Sequence, residues 1–142
     1  MPKHVCVLLF LLILSMTGCD FNDVDQRKDA YLNPDLSGTI YYLVPQEIKK
    51  WLIDHPGTVL VDVRTPEEYR NGHITGAVNV DVDASDFDDR VKNLVPTQSY
   101  LLYCRTGVRT ETAKKIFQRN HFQQIAILEG GIQAWLEAGF PL

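Results

Sequence analysis

The sequence predicts an α/β domain: a three-layer arrangement with an approximately five-stranded, mostly parallel sheet and helices on both faces. Three observations predict it. Apolar, β-branched runs of strand length recur along the chain, as in Thr58–Val63 and Ile125–Leu128. Continuous apolar strands are typical of parallel sheets covered on both sides. Segments with helical spacing of apolar residues alternate with those runs, which is the pattern of βαβ units. Pro, Gly and Ser/Thr punctuate most of the junctions between them.

Ile40–Val44 is the first strand-like run, ended by Pro45. Gln46–Leu52 follows as a helix, with Ile48, Trp51 and Leu52 on one face and Pro45 in its first turn. Thr58–Val63 is the second strand. Thr65, Pro66 and Glu68 make a helix start: an N-cap, a first-position proline and a glutamate three residues after the cap. Gly72 ends that short helix. Ala77–Val82 is the third strand, and Ser85 is placed to cap a helix over 86–94 with Phe87, Val91 and Leu94 inward. Tyr100–Tyr103 is the fourth strand. Thr110–Asn120 is a helix with Ala113, Ile116 and Phe117 spaced for burial. Ile125–Leu128 is the fifth strand, and Gly130-Gly131 turns the chain into a last helix, Ile132–Ala138.

The chain of 142 residues leaves room for one domain of ordinary size. Its 45% hydrophobic and 23% charged content excludes disorder over the whole length. A net charge of -4 argues against a nucleic-acid partner, which calls for a basic excess or stripe.

The N-terminus stands apart from that domain. Lys3 and His4 precede an apolar stretch from Val5 to Ile13, continued by Leu14, Ser15 and Met16. This is a signal-like segment, too short to span a bilayer comfortably. Thr17-Gly18-Cys19 then resembles a bacterial lipobox, with Met16 where leucine is usual. The resemblance implies cleavage after Gly18 and lipidation of Cys19, so that residues 1–18 are a lipoprotein signal peptide. Ordinary secretion is the alternative. Two or more acyl chains give durable membrane anchoring where one is marginal. Residues 19–38 are polar and carry Pro34 and Gly38, and read as the lipidated cysteine and a flexible tether. The expected location is the cell membrane, with the domain, residues 39–142, facing the periplasm or the cell exterior.

Cysteine usage then isolates one thiol. Cys6 leaves with the signal and Cys19 is consumed by lipid, so Cys104 is the remaining free thiol of an exported chain. Such a cysteine is either a buried inert residue, an intermolecular partner or a reactive group. Its setting favours reactivity. Cys104-Arg105-Thr106-Gly107-Val108-Arg109 follows a strand and precedes a helix, where α/β sheets place their sites. A loop entering a helix can aim several N–H groups inward as an anion nest. Gly107 permits positive φ, and Arg105 and Arg109 add positive charge, so the thiolate is favoured.

Three blocks together resemble the rhodanese-like domain family, over Ile40 to Leu142. They are Asp62-Val63-Arg64-Thr65-Pro66-Glu67-Glu68-Tyr69 with Gly72-His73-Ile74-Thr75-Gly76-Ala77-Val78-Asn79; the Cys104–Arg109 loop; and Leu128-Glu129-Gly130-Gly131 with Trp135, Gly139 and Pro141. The resemblance implies a rhodanese-like fold and a sulfurtransferase. Cys104 would carry sulfane sulfur as a persulfide, and Arg105, Thr106, Gly107, Val108 and Arg109 would bind the substrate. The donor would be a small anion such as thiosulfate, and the acceptor cyanide in vitro or a thiol in the cell. No metal and no organic cofactor is implied. The histidines show no metal-ligand spacing with Cys104, and His73 is read as structural. Phosphatases that share this fold have a longer loop; the four residues between Cys104 and Arg109 suit sulfur rather than phosphate. A non-catalytic or sulfur-sensing binding module is the other alternative. Asp62 and Arg64 are expected to cap or to pair with each other, and Glu68 to cap its helix or pair with Arg64.

Overall fold

The computed structural model describes residues 38–142. The expected signal peptide, the expected lipidation site Cys19 and the expected tether as far as residue 37 lie outside the described residues. Five strands form one sheet: β1 (Thr39–Leu43), β2 (Val59–Asp62), β3 (Val78–Asn79), β4 (Ser99–Tyr103) and β5 (Gln124–Leu128). Their order is β1-β5-β4-β2-β3, and every pairing is parallel. The helices are α1 (Pro45–Asp54), α2 (Pro66–Arg70), α3 (Phe87–Lys92), α4 (Val108–Arg119) and α5 (Gly131–Glu137).

The strands alternate their side chains between two cores, as pleating requires. Tyr100 and Leu102 of β4, with Ile125 and Ile127 of β5, meet Phe87 and Val91 of α3 and Ala113 and Phe117 of α4. Leu101, Tyr103, Ala126 and Leu128 face the other way, toward Ile48 and Trp51 of α1 and Ile132 and Trp135 of α5. Tyr100, Phe117 and Phe122 pack ring against ring in the first core, with centroids 4.6–5.5 Å apart. The three-layer architecture expected from the sequence is the one observed.

Two local expectations differ. The third strand pairs over two residues only, Val61 with Val78 and Asp62 with Asn79. Beyond it, Val80 N–H still donates to Asp62 O at 2.9 Å and Val82 N–H to Val63 O at 3.2 Å, while the Asn79 side-chain amide adds bonds to the carbonyls of Asp62 and Arg64 at 2.9 and 2.7 Å. The second difference is at α3. Ser85 does not cap it; Phe87 N–H closes a turn on Ala84 O, and Asp86 is the capping position, without a side-chain cap bond.

Helix α4 also starts two residues earlier than its apolar spacing suggests, at Val108, directly after Gly107. This brings the whole Cys104–Gly107 segment into a tight connection between β4 and α4. Because β4 sits between β5 and β2, the carboxyl ends of three adjacent strands converge there. Each of the three sequence blocks leaves one of those ends, which is why residues far apart in the chain share one surface.

Candidate active site

Cys104 follows Tyr103 at the end of the middle strand and is almost fully buried, at 1% exposure. It is the only free cysteine among the described residues. Gly107 N–H donates to its sulfur at 3.1 Å. Gly107 reaches that position with φ 102°, a left-handed conformation that a side chain strains. Burial pushes the thiol upward, but the Thr110 hydroxyl and the N–H groups of Thr110, Gly107 and Thr106 more than offset it. The net result is a thiol held below its ordinary value, so the thiolate is favoured by hydrogen bonds to its charged form.

Thr110 was not among the residues singled out from the sequence, where it reads as the start of a helix. It is fully buried in the first turn of α4. Its hydroxyl has no geometrically complete hydrogen bond, yet it stands among the groups that stabilise the Cys104 thiolate. The only sequence signal available was a hydroxyl residue one turn into the helix that follows the loop.

The remaining loop residues divide. Arg105 and Thr106 are exposed on the rim, and Val108 is 76% exposed beside them. Arg109 is not a free charge: its guanidinium makes a two-point pair with the Glu68 carboxylate, both contacts at 2.7 Å, with Asp83 3.8 Å away. That pair holds the Glu68 carboxyl down at about 2. Glu68 also completes a capping box on α2, accepting Thr65 N–H at 3.1 Å while Thr65 Oγ1 accepts Glu68 N–H at 3.3 Å. Its partner is therefore Arg109, not Arg64.

Arg64 is committed elsewhere. It pairs with the fully buried Asp62 at 2.6–3.0 Å and donates to Gly72 O at 2.7 Å. A buried pair satisfied this completely fixes the β2–α2 loop and leaves neither charge available. His73 bonds Tyr69 O through Nδ1 and stacks on the Tyr69 ring at 3.8 Å, a structural placement. Among the described residues no His, Cys, Asp or Glu gather in threes as metal ligands do.

The third block braces the cradle from behind. Ile132 N–H donates to Cys104 O at 2.9 Å and Gln133 N–H to Arg105 O at 3.2 Å. Gly131 lies so close that a Cβ there would stand 2.5 Å from Cys104 O and 2.6 Å from Arg105 O. Trp135 Nε1 donates to Pro141 O, tying α5 to the segment behind it. An open groove of about 320 Å³ runs beside the loop, bordered by Arg64, Glu68, Arg105, Ile132 and Leu136 among others.

Fold and site together define a parallel-sheet α/β protein with a buried thiol that accepts a backbone N–H at the end of its middle strand. Residues 44–138 match the rhodanese-like domain family, and the chain belongs to it. It is 32% identical over 99 residues to the probable adenylyltransferase/sulfurtransferase MoeZ of Mycobacterium tuberculosis, which covers 70% of this chain and 25% of that protein. It is 30% identical over 138 residues to the tRNA uridine(34) hydroxylase of Staphylococcus carnosus, covering 94% of this chain and 38% of that one. The chain thus spans a quarter to two-fifths of these curated relatives. Among solved structures, a rhodanese-related protein from Thermoplasma volcanium superposes with a TM-score of 0.61 at 27% identity, over 71% of this chain and 95% of that one. A rhodanese-like domain protein from Staphylococcus aureus gives 0.58 at 28%, over 67% and 90%.

Proposed function

We propose that this chain is a thiosulfate-type sulfurtransferase that moves sulfane sulfur through a persulfide on Cys104. The observation that carries the reading is the sulfur of Cys104 facing the Gly107 N–H at 3.1 Å, with its thiol lowered despite burial. Such a cradle stabilises a thiolate before reaction and an anionic outer sulfur after it. The four-residue span from Cys104 to Arg109 supports sulfur over phosphate, and a relative is named a sulfurtransferase.

The reaction is covalent catalysis in two steps. Cys104 thiolate attacks the outer sulfur of thiosulfate; a new S–S bond forms, the old one breaks, and sulfite leaves with its electron pair. The terminal persulfide sulfur then faces the loop N–H groups of Arg105, Thr106, Gly107, Val108 and Arg109. Cyanide, or a thiolate, attacks that outer sulfur, and Cys104 thiolate is the leaving group. Arg109 is held in place beside the cradle by Glu68, which compensates its charge. Neither step calls for a metal or an organic cofactor.

We also propose that Cys19 is lipidated after removal of residues 1–18, anchoring the domain to the membrane through the 19–38 tether. The basic start, apolar run and Thr17-Gly18-Cys19 support this. Cys19→Ala should release the protein into the soluble exported fraction; a variant that stays with membranes defeats the lipid anchor.

Mass spectrometry tests the chemistry. Thiosulfate should add one sulfur, about 32 Da, to the Cys104 peptide, and cyanide or dithiothreitol should remove it, as a covalent intermediate requires. A native Cys104 that takes up no sulfur from any donor favours a binding module instead, and robust aryl phosphatase turnover without sulfur transfer favours the phosphatase.

A further inference from the structure

We infer that Glu68 is a specificity-determining residue: it cancels Arg109 beside the cradle, and so biases sulfur loading of Cys104 toward donors with one negative charge and against dianions. The inference rests on the sulfurtransferase reading above; thiosulfate remains a donor, used more slowly than the loop alone would allow. Two guanidinium groups of the site are spent on carboxylates. Arg64 is closed by Asp62 and Gly72 O. Arg109 donates to both oxygens of the Glu68 carboxylate at 2.7 Å, and Asp83 stands 3.8 Å from it. One guanidinium beside two carboxylates leaves that trio with negative charge in excess. Attraction for an anion is left to the loop N–H groups and to Arg105, which is exposed and, among the described residues, has no ion pair or side-chain hydrogen bond.

The pair is built to stay closed. Glu68 also accepts the Thr65 N–H at 3.1 Å and the Thr65 hydroxyl at 3.2 Å, so its carboxylate is anchored on the α2 side and does not yield Arg109 to an incoming anion. Both side chains are largely shielded, with Arg109 26% and Glu68 30% accessible, which weakens screening by salt. Arg109 lies close enough to Cys104 for the thiolate charge to act on it. A donor whose outer sulfur reaches Cys104 therefore carries its remaining charge into the field of the same trio. Coulomb energy is proportional to the donor's charge, so a dianion is disfavoured twice as much as a monoanion. A fixed like charge that rejects one of two similar ligands is a source of specificity in its own right.

The experiment follows sulfur loading of Cys104 by mass with two donors of different charge. Thiosulfate is a dianion that releases sulfite; methanethiosulfonate is a monoanion that releases methanesulfinate. With either, the Cys104 thiolate bonds to the outer sulfur, the donor's S–S bond breaks, and the leaving group keeps the electron pair. Each loading rate is divided by the rate of alkylation with uncharged iodoacetamide, which removes any change in the thiolate population. Glu68→Gln should raise the normalised rate for thiosulfate severalfold, and that for methanethiosulfonate by about the square root of the same factor, because the energy follows donor charge and the rate its exponential. Added salt should shrink both gains. Glu68→Asp, which keeps the charge, should keep the wild-type preference. Asp83→Asn, outside the α2 cap, should repeat the pattern more weakly, and it decides by the same criterion if Glu68→Gln does not fold. Equal changes with the two donors, or a fall in thiosulfate loading, overturn this inference alone and leave Glu68 a structural brace. A wild type that loads from neither donor overturns the sulfurtransferase reading itself.

Discussion

The loops after β2 and β4 leave neighbouring strands at the same edge of the sheet and each runs into a helix, yet they solve the helix start in opposite ways. After β2, side chains do everything. Thr65 Oγ1 accepts the N–H three residues on, Glu68 returns the bond, and Asp62 and Arg64 neutralise each other. After β4, backbone does it. No side chain caps α4; Gly107 turns left-handed and its N–H goes to the Cys104 sulfur, again three residues back. The Thr65 oxygen accepts an N–H inside the first turn of α2, whereas the Cys104 sulfur accepts the N–H of Gly107, the residue that precedes the first turn of α4. A hydroxyl that caps a helix is inert, whereas hydrogen bonds to a sulfur favour its thiolate. A bond across the same sequence separation thus braces one loop and sets up a candidate reaction centre in the other.

The largest test of that contrast is Cys104→Ser. Oxygen can accept the Gly107 N–H as sulfur does, so the fold should persist, and the melting transition should stay within a few degrees. Persulfide formation and turnover should both fall to background. Retained activity in this variant ends the enzyme reading.

Gly131→Ala attacks the brace behind the reactive loop. The added Cβ meets two backbone carbonyls at 2.5–2.6 Å, in a residue at φ 61°. Neither carbonyl can move without displacing Cys104. Strain and clash together should cost about 3 kcal/mol or more in chemical denaturation, and the surviving folded fraction should alkylate more slowly at Cys104. A variant with native stability would mean the 128–131 turn is not what fixes the loop.

Thr110→Val separates stability from reactivity. The hydroxyl is buried without a complete hydrogen bond, so an apolar replacement of similar shape should be neutral or slightly stabilising. It should also remove one group that favours the thiolate. The rate of iodoacetamide alkylation against pH rises as the thiol ionises. In the wild type that rise should fall below the ordinary thiol value, and in the variant it should move upward, with severalfold lower turnover at neutral pH. An unmoved profile would leave the backbone N–H groups as the whole source of activation.

The two loops were also unequally legible in the sequence. Cys104, the glycine turn and the position after an apolar strand could be read because each is a local signal. So could the Thr65–Glu68 box and the Asp62–Arg64 pair, whose members lie no more than three positions apart. Glu68 with Arg109 could not, because 41 residues separate them and only the β4–β2 pairing brings them together. Thr110 was hidden for a different reason: a hydroxyl in the first helical turn looks like ordinary helix, and its burial is set by packing. The third strand was overestimated because its apolar residues continue past the two-residue ladder, where Val80 and Val82 keep only single backbone bonds to Asp62 and Val63.

Thr65→Ala is the matching change in the inert loop. Loss of an N-cap costs about 1 kcal/mol of stability. Because α2 lies beside the cradle without supplying any of its N–H groups, sulfur loading at saturating thiosulfate should be unchanged. A large loss of loading would show that the brace and the reaction centre are not separable.

Glu68→Gln tests the ion pair that joins the two loops. The carboxylate caps α2 and pairs with Arg109 of α4, and Arg109 holds it at about 2, below its unfolded value near 4.3. A depressed folded value means the stabilisation is complete above the unfolded value and is lost as pH falls toward the folded one. The pair is about a quarter to a third exposed, with Arg109 and Glu68 side chains 26% and 30% accessible, so its worth is discounted to under about 1 kcal/mol. The wild type should therefore exceed Glu68→Gln in stability by that small margin above about pH 5, and the gap should close between about pH 4.5 and 2. High salt should shrink it as well. A gap that persists unchanged to pH 2 would assign the loss to the α2 capping box, which a glutamine keeps only in part, rather than to the bridge between the loops.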